Sequence, residues 1–199
     1  MILDEPLFEP IARYWRFNEG IKEMVSHKPV SIVDLGCGPL IRFYYFLQEK
    51  GIQPKAYFGI DPLIDDTIVD QHKYIKNITL IKNALKRKIP LQSGRADYVV
   101  GFAFLEHVDD PKSILNEAIR LLKKGGKVIF TTPSPRSKLL LELLTKLNLI
   151  SHREIHEHKQ YLDRFLLLNM INKENKKKVH IRHSYFHPWE NNLLVLQKK

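Results

Sequence analysis

Cysteine is almost missing from this chain: its 199 residues include one, Cys37. No disulfide can form within it, and the expected setting is a reducing, cytoplasmic one. Long apolar runs are missing too, since none reaches the roughly 18 to 20 residues that a membrane-spanning helix needs. The opening residues, with Asp4, Glu5 and Pro6, lack the basic segment and apolar stretch of a secretory leader, so none is expected. Glycine is sparse at nine residues, yet two of them, Gly36 and Gly38, stand one residue apart. Acidic residues number 22 against 32 basic ones, for a net charge of +10. The excess is uneven: residues 1–132 carry +3 and residues 133–199 carry +7. A basic half of this kind suits nucleic acid, an anionic substrate or a membrane surface, or is simply a solvated face. The remaining composition, 44% hydrophobic and 27% charged, is that of one globular domain spanning residues 1–199.

Ser31 to Leu35 reads as a buried strand, apolar and β-branched except for Asp34. The Gly36-Cys37-Gly38 turn follows, and Leu40 to Glu49 reads as a helix closed by Gly51. Strand, glycine turn and helix start form the layout of a nucleotide-type site at the carboxyl edge of an open sheet. A second strand, Lys55 to Ile60, ends at Asp61, 23 residues after Gly38. A carboxylate placed there can accept hydrogen bonds from both hydroxyls of a ribose. A dinucleotide would require a third glycine where Ile41 stands, so a pyrophosphate fits poorly. Asp34, two residues before the first glycine, suits a cofactor with an amino-acid tail. Cys37 in the turn reads as a small packing residue.

Asp34-Leu35-Gly36-Cys37-Gly38 with Gly59-Ile60-Asp61 resembles the first two motifs of class I S-adenosylmethionine-dependent methyltransferases. The resemblance runs from about Val30 to Pro133. Lys82-Asn83-Ala84-Leu85 stands where that family reads the adenine, and Arg95 to Gly101 matches its fourth strand. Leu105-Glu106-His107-Val108 is similar to the Glu-His pair of its small-molecule branch, and Ala118 to Pro133 to its helix, Gly-Gly turn and fifth strand. Leu40 replaces the family's third glycine and Asn83 its usual acid. The resemblance implies an α/β fold: a doubly wound, mostly parallel seven-stranded sheet with a C-terminal antiparallel hairpin and helices on both faces. It also implies S-adenosylmethionine as cofactor, held by Asp34, Gly36, Cys37, Gly38, Asp61, Pro62, Asn83, Ala84, Leu85, Phe102 and Phe104.

Pro6 to Val25, within an N-terminal segment 1–28, has helical apolar spacing, and Tyr14 and Trp15 are candidates to line the acceptor pocket. Asp65, Asp66 and Asp70 read as a helix start rather than a metal site. Asp109-Asp110-Pro111 starts another helix, expected to run to Gly125-Gly126, with a strand from Lys127 to Thr132. Ser137 to Ile150 is apolar nearly all round, so it is buried under a lid or meets a partner, a lipid-like acceptor or a membrane surface; residues 133–160 are read as an insertion covering the acceptor, with dimer contact the second reading. Six of the nine histidines follow residue 150. Among these, His152 and His156 are candidate acceptor-lining residues, and their spacing matches no zinc pattern. Tyr161 to Ile171 reads as a helix, Lys173 to Lys178 as a turn, and Val179 to Phe186 and Asn192 to Gln197 as terminal strands.

The expected activity is methyl transfer to a small-molecule acceptor, O-directed, on a sugar, lipid or quinone-like hydroxyl. His107, after the fourth strand, is the expected base. The alternatives are an RNA methyltransferase using the basic C-terminal part and a non-catalytic cofactor-binding protein. No membrane span is expected, and the chain is read as a monomer or homodimer.

Overall fold

In the computed structural model, residues 8–24, 30–147, 149, 160–186 and 191–199 are described. Seven strands form one sheet: β1 (Ser31–Leu35), β2 (Ala56–Asp61), β3 (Ile78–Lys82), β4 (Ala96–Phe102), β5 (Leu122–Pro133), β6 (Val179–Phe186) and β7 (Asn191–Lys198). Their order is β3-β2-β1-β4-β5-β7-β6. The first five run parallel, while β7 is antiparallel to both β5 and β6. The doubly wound sheet and its closing hairpin are those expected from the sequence. β1 is buried along its whole length, as a central parallel strand covered on both faces must be.

Seven helices are described: α1 (Glu9–Lys22), α2 (Arg42–Glu49), α3 (Asp66–His72), α4 (Pro111–Leu121), α5 (Lys138–Lys146), α6 (Arg164–Met170) and α7 (Lys173–Lys178). Alternate residues of the strands feed two cores. One joins Val33, Leu35, Val99 and Phe130 to Ile114, Leu115 and Ala118 of α4 and Leu167 of α6. The other joins Ile32, Tyr57, Val100 and Ile129 to Phe17 of α1 and Phe43 and Phe46 of α2. Phe17, Phe43 and Phe102 meet with ring centroids 4.6–5.1 Å apart, which fastens α1 and α2 to the end of β4.

Several boundaries differ from the sequence reading, each for a local reason. The helix after the glycine turn starts at Arg42, not Leu40, because Ile41 is left-handed at φ 39°. α4 stops at Leu121, and the Gly125-Gly126 pair lies within β5 rather than at a helix end. Gly126 passes so close to β4 that a Cβ there would stand 2.8 Å from the Asp97 carbonyl oxygen. The α6 helix begins later than expected, capped by Asp163, whose carboxylate accepts from Leu166 N–H at 2.7 Å. Lys173–Lys178 is a short helix capped by Asn172 instead of a turn. Asp65 caps α3 through Ile68 N–H at 2.9 Å, the helix start expected of that acidic cluster. No helix among the described residues is long and apolar enough to cross a membrane.

The two turn glycines separate folding from binding. Both have positive φ, +75° at Gly36 and +66° at Gly38. A Cβ on Gly36 would also stand 2.7 Å from the Phe104 Cβ, whereas nothing lies within 4 Å of one on Gly38. In urea unfolding, Gly38→Ala is expected to cost about 1–2 kcal/mol, the left-handed strain alone. Gly36→Ala adds overpacking of about 1–3 kcal/mol more. Equal costs for the two would contradict this packing.

Candidate functional site

The site is built on the carboxyl edge of β1, β2 and β4. Gly36 N–H donates to the Ile60 carbonyl at 2.9 Å, laying the turn against β2. Gly38 N–H donates to Asp61 Oδ2 at 2.9 Å, and Leu63 N–H to Asp61 Oδ1 at 2.8 Å. Asp61 is thus fixed by both neighbouring loops. Each carboxylate oxygen has two acceptor directions, so hydroxyl donors can still be received. Pro62 and Ala84 are exposed beside it. Asn83 N–H bonds the Asp61 carbonyl at 3.3 Å, and its amide oxygen accepts from Leu85 N–H at 2.8 Å. The amide that replaces the family's acid therefore holds its own loop in shape. Leu40 is 49% exposed and turned outward, and the space beside Gly38 is open. The missing third glycine does not fill the cradle.

The non-glycine residues with positive φ among those described gather at this edge. Besides glycines, the positive φ values belong to Ile41, Leu85 and Ala103, which follow β1, β3 and β4. Such strain persists only where surrounding packing enforces it. Ile41 and Leu85 are buried anchors, at 0% and 3% exposure.

Beneath the turn, Asp34 is buried and accepts a hydrogen bond from the Tyr57 hydroxyl. Burial pushes its carboxyl up to about 7, against the lowering effect of the Tyr57 bond and with a further rise from Asp61. The Cys37 thiol is raised by burial and then by Asp34 and Asp61. It stays protonated and acts as packing, with Sγ facing Gly59.

His107 lies on the single turn Leu105–His107 that follows β4. Phe104 roots that turn: its ring packs over Gly36 and Gly101 and meets Phe130 edge-on at 5.5 Å. Beside His107, Glu106 is fully buried, and neither carboxyl oxygen has a hydrogen-bond partner. Burial raises its carboxyl, while His107 pulls it down.

Other expected residues are placed differently. Phe104 and Leu85 have their side chains in the core and support the site from below instead of lining it. Phe102 belongs with Phe17 and Phe43 between the helices. Tyr14 is half-exposed and packs edge-on to Phe46 with the Lys50 ammonium 5.2 Å away, so it faces the far half of α2 and not the glycine turn. Trp15 is 44% exposed on the same helix. His152 and His156 lie outside the described residues. Sequence reasoning missed Tyr57, whose partnership with Asp34 follows only from the pairing of Asp34 with Gly59 across β1 and β2. It also missed Thr132 and Ser134, whose buried hydroxyls lack hydrogen-bond partners.

Asp34 carries a pH signature. Its folded pKa lies above its ordinary 3.8, so the folded state holds a proton that the unfolded chain releases. Its stabilising share is complete below the unfolded value and is lost as pH rises toward about 7. Glu106 acts in the same direction. Relative to Asp34→Asn, the parent protein is expected to lose melting temperature between pH 4 and pH 7, so the two slopes differ. An unchanged slope in the variant would contradict the protonated buried state.

Comparison with known proteins agrees with this geometry. A profile of the methyltransferase domain matches residues 4–181. The ubiquinone biosynthesis O-methyltransferase of Erwinia tasmaniensis is 26% identical over 163 residues, 80% of this chain and 67% of that protein. That of Shigella boydii is 24% identical over 165 residues, 80% and 68% respectively. Among solved structures, an S-adenosylmethionine-dependent methyltransferase from Aquifex aeolicus superposes with a TM-score of 0.62 at 12% identity, covering 96% of this chain and 98% of that one. An O-methyltransferase family protein from Burkholderia thailandensis gives a TM-score of 0.66 at 14% identity, covering 97% and 56%. The open glycine cradle, the fixed Asp61 carboxylate and this match across most of the chain place it in the methyltransferase domain family, as a class I enzyme that uses S-adenosylmethionine.

Proposed function

We propose that this enzyme methylates a hydroxyl of a small-molecule acceptor, a sugar, lipid or quinone-like compound, with His107 as the base. The observation that carries the reading is the contact between two loops. Phe104 packs directly against Gly36, so the turn bearing His107 is held against the cofactor cradle. The O-methyltransferase relatives support an oxygen acceptor at their 24–26% identity. Asp61, Gly38 and the Asn83 loop would hold S-adenosylmethionine, and Asp34 would face its amino-acid end. When bound, that cofactor supplies an activated methyl group. The protein's part is then to align the acceptor and receive its proton. His107 suits the second task because an imidazole nitrogen can accept a proton.

Residues 133–160 are proposed to cover the acceptor, with His152 and His156 facing it. Leu140, Leu143 and Leu147 of this segment expose apolar surface at 37%, 54% and 57%, which supports a covering role. An RNA acceptor is the second reading, favoured by the exposed basic group Lys176, Lys177, Lys178 and Arg182 along α7 and the edge strand β6.

Calorimetry with S-adenosylhomocysteine tests the cofactor half. Asp61→Ala is expected to weaken binding about 10- to 100-fold, the worth of hydrogen bonds to a charged acceptor. His107→Ala is expected to leave that affinity within about twofold and lower kcat about 10²- to 10⁴-fold. With a labelled methyl donor and a fractionated cell extract, the label is expected among small molecules or lipids. Label confined to RNA would replace this reading with the second.

A further inference from the structure

Three side chains at the carboxyl ends of β4 and β5 bury polar atoms that the fold leaves without hydrogen bonds. They are Glu106, through both carboxyl oxygens, Thr132 through Oγ1, and Ser134 through Oγ. All are 0–1% exposed. Thr132 is near enough to Glu106 to draw its carboxyl downward, yet completes no hydrogen bond with it. Ser134 has extended backbone, φ −84° and ψ 164°, and follows Thr132 by two residues, so their side chains leave the same face. The Tyr161–Leu162 segment lies beside them. Asn192 donates through Nδ2 to the Thr132 carbonyl at 3.2 Å and to the Leu162 carbonyl at 2.7 Å, tying that segment to the end of β5. Tyr161 is close enough to Glu106 for its hydroxyl to feel the carboxyl.

Buried polar groups are normally satisfied, and three adjacent exceptions need an explanation. Here they stand beside His107, at the edge where the acceptor must lie. We infer that Glu106, Thr132 and Ser134 form a recognition pocket for an uncharged polar group of the acceptor, distinct from the oxygen that is methylated. The inference rests on the small-molecule reading above. The group needs both a donor and an acceptor, because the pocket offers carboxyl oxygens and two hydroxyls. A hydroxyl or a primary amide meets that need. A carboxylate does not: it would be buried as an anion with no cation to pair it, since the nearby Arg16 is already paired with Glu9 at 3.1 Å. Burial, which favours the neutral form of Glu106, makes the pocket a donor as well as an acceptor.

The test titrates protein saturated with S-adenosylhomocysteine against three phenols that differ in one group: 3-hydroxybenzyl alcohol, 3-hydroxybenzamide and 3-hydroxybenzoate. The alcohol and the amide are expected to bind at least about tenfold more tightly than the benzoate. Thr132→Val and Ser134→Ala should each weaken the alcohol about three- to tenfold, while the melting temperature stays level or rises, since each removes an unsatisfied hydroxyl. Glu106→Gln should retain alcohol binding, and Glu106→Leu should lose it. Equal binding of alcohol and benzoate, no binding of any of the three, unchanged affinity in the Thr132 and Ser134 variants, or a marked loss of their stability would overturn the pocket. A cation requirement for alcohol binding that Glu106→Gln abolishes would also overturn it, by assigning the carboxyl to a metal. Failure of S-adenosylhomocysteine to bind would instead strike the cofactor reading. Alcohol binding without methyl transfer would strike only the role of His107.

Discussion

The hydrogen bond from Gly38 N–H to the Asp61 carboxylate organises this enzyme. It joins the turn after β1 to the end of β2, so the backbone cradle and the acid expected to grip the ribose move as one unit. The bond needs a residue at φ +66° on one side and a strand ending in an acid on the other. Around it the carboxyl edge is deliberately tight. Phe104 fills the space that the bare Gly36 leaves, and that same ring roots the turn carrying His107. The glycine turn and the turn carrying His107 are therefore coupled through one aromatic side chain rather than placed independently.

Two buried acids flank this arrangement and are handled in opposite ways. Asp34 has a dedicated partner, the Tyr57 hydroxyl, on the face shared with α1 and α2. Glu106 sits beside the α4 and α6 core with both oxygens unpartnered. Burying an acid without partners is costly. Asp34 thus has a partner within the fold, whereas Glu106, with Thr132 near it, is left for the ligand group inferred above. The uneven charge fits the same division of labour. Residues 1–132, which carry the glycine turn and Asp61, are nearly neutral, and the basic excess lies in residues 133–199, which are proposed to cover the acceptor.

Much of this could be read from the chain alone. Ser31–Leu35 announces itself because a parallel strand covered on both faces must be apolar throughout, and Gly36 and Gly38 announce a turn that other residues resist. Asp61 was legible from its distance to Gly38, and the β6–β7 hairpin from its two terminal apolar runs. The order of the sheet followed from the family resemblance. These features are local: each depends on residue type and spacing within one segment. The errors were local competitions settled from outside the segment. Gly125 and Gly126 read as a helix stop, but the close approach of β5 to β4 decided their use.

What the tertiary structure alone decided is which side chains meet across distance. Tyr57 finds Asp34 only because parallel pairing sets Gly59 opposite Asp34. Phe104 turns into the core because Gly36 and Gly101 leave room for its ring, and Tyr14 turns toward Phe46 and Lys50 because the orientation of α1 carries it there. Thr132, Ser134 and Glu106 converge from the ends of two strands, 26 residues and more apart in sequence. Residue pattern fixes strands and turns, since backbone preference and hydrophobic periodicity act over a few residues, and the family resemblance of the motifs carried the cofactor. Register and packing fix which distant side chains meet, since those contacts exist only once the sheet has closed.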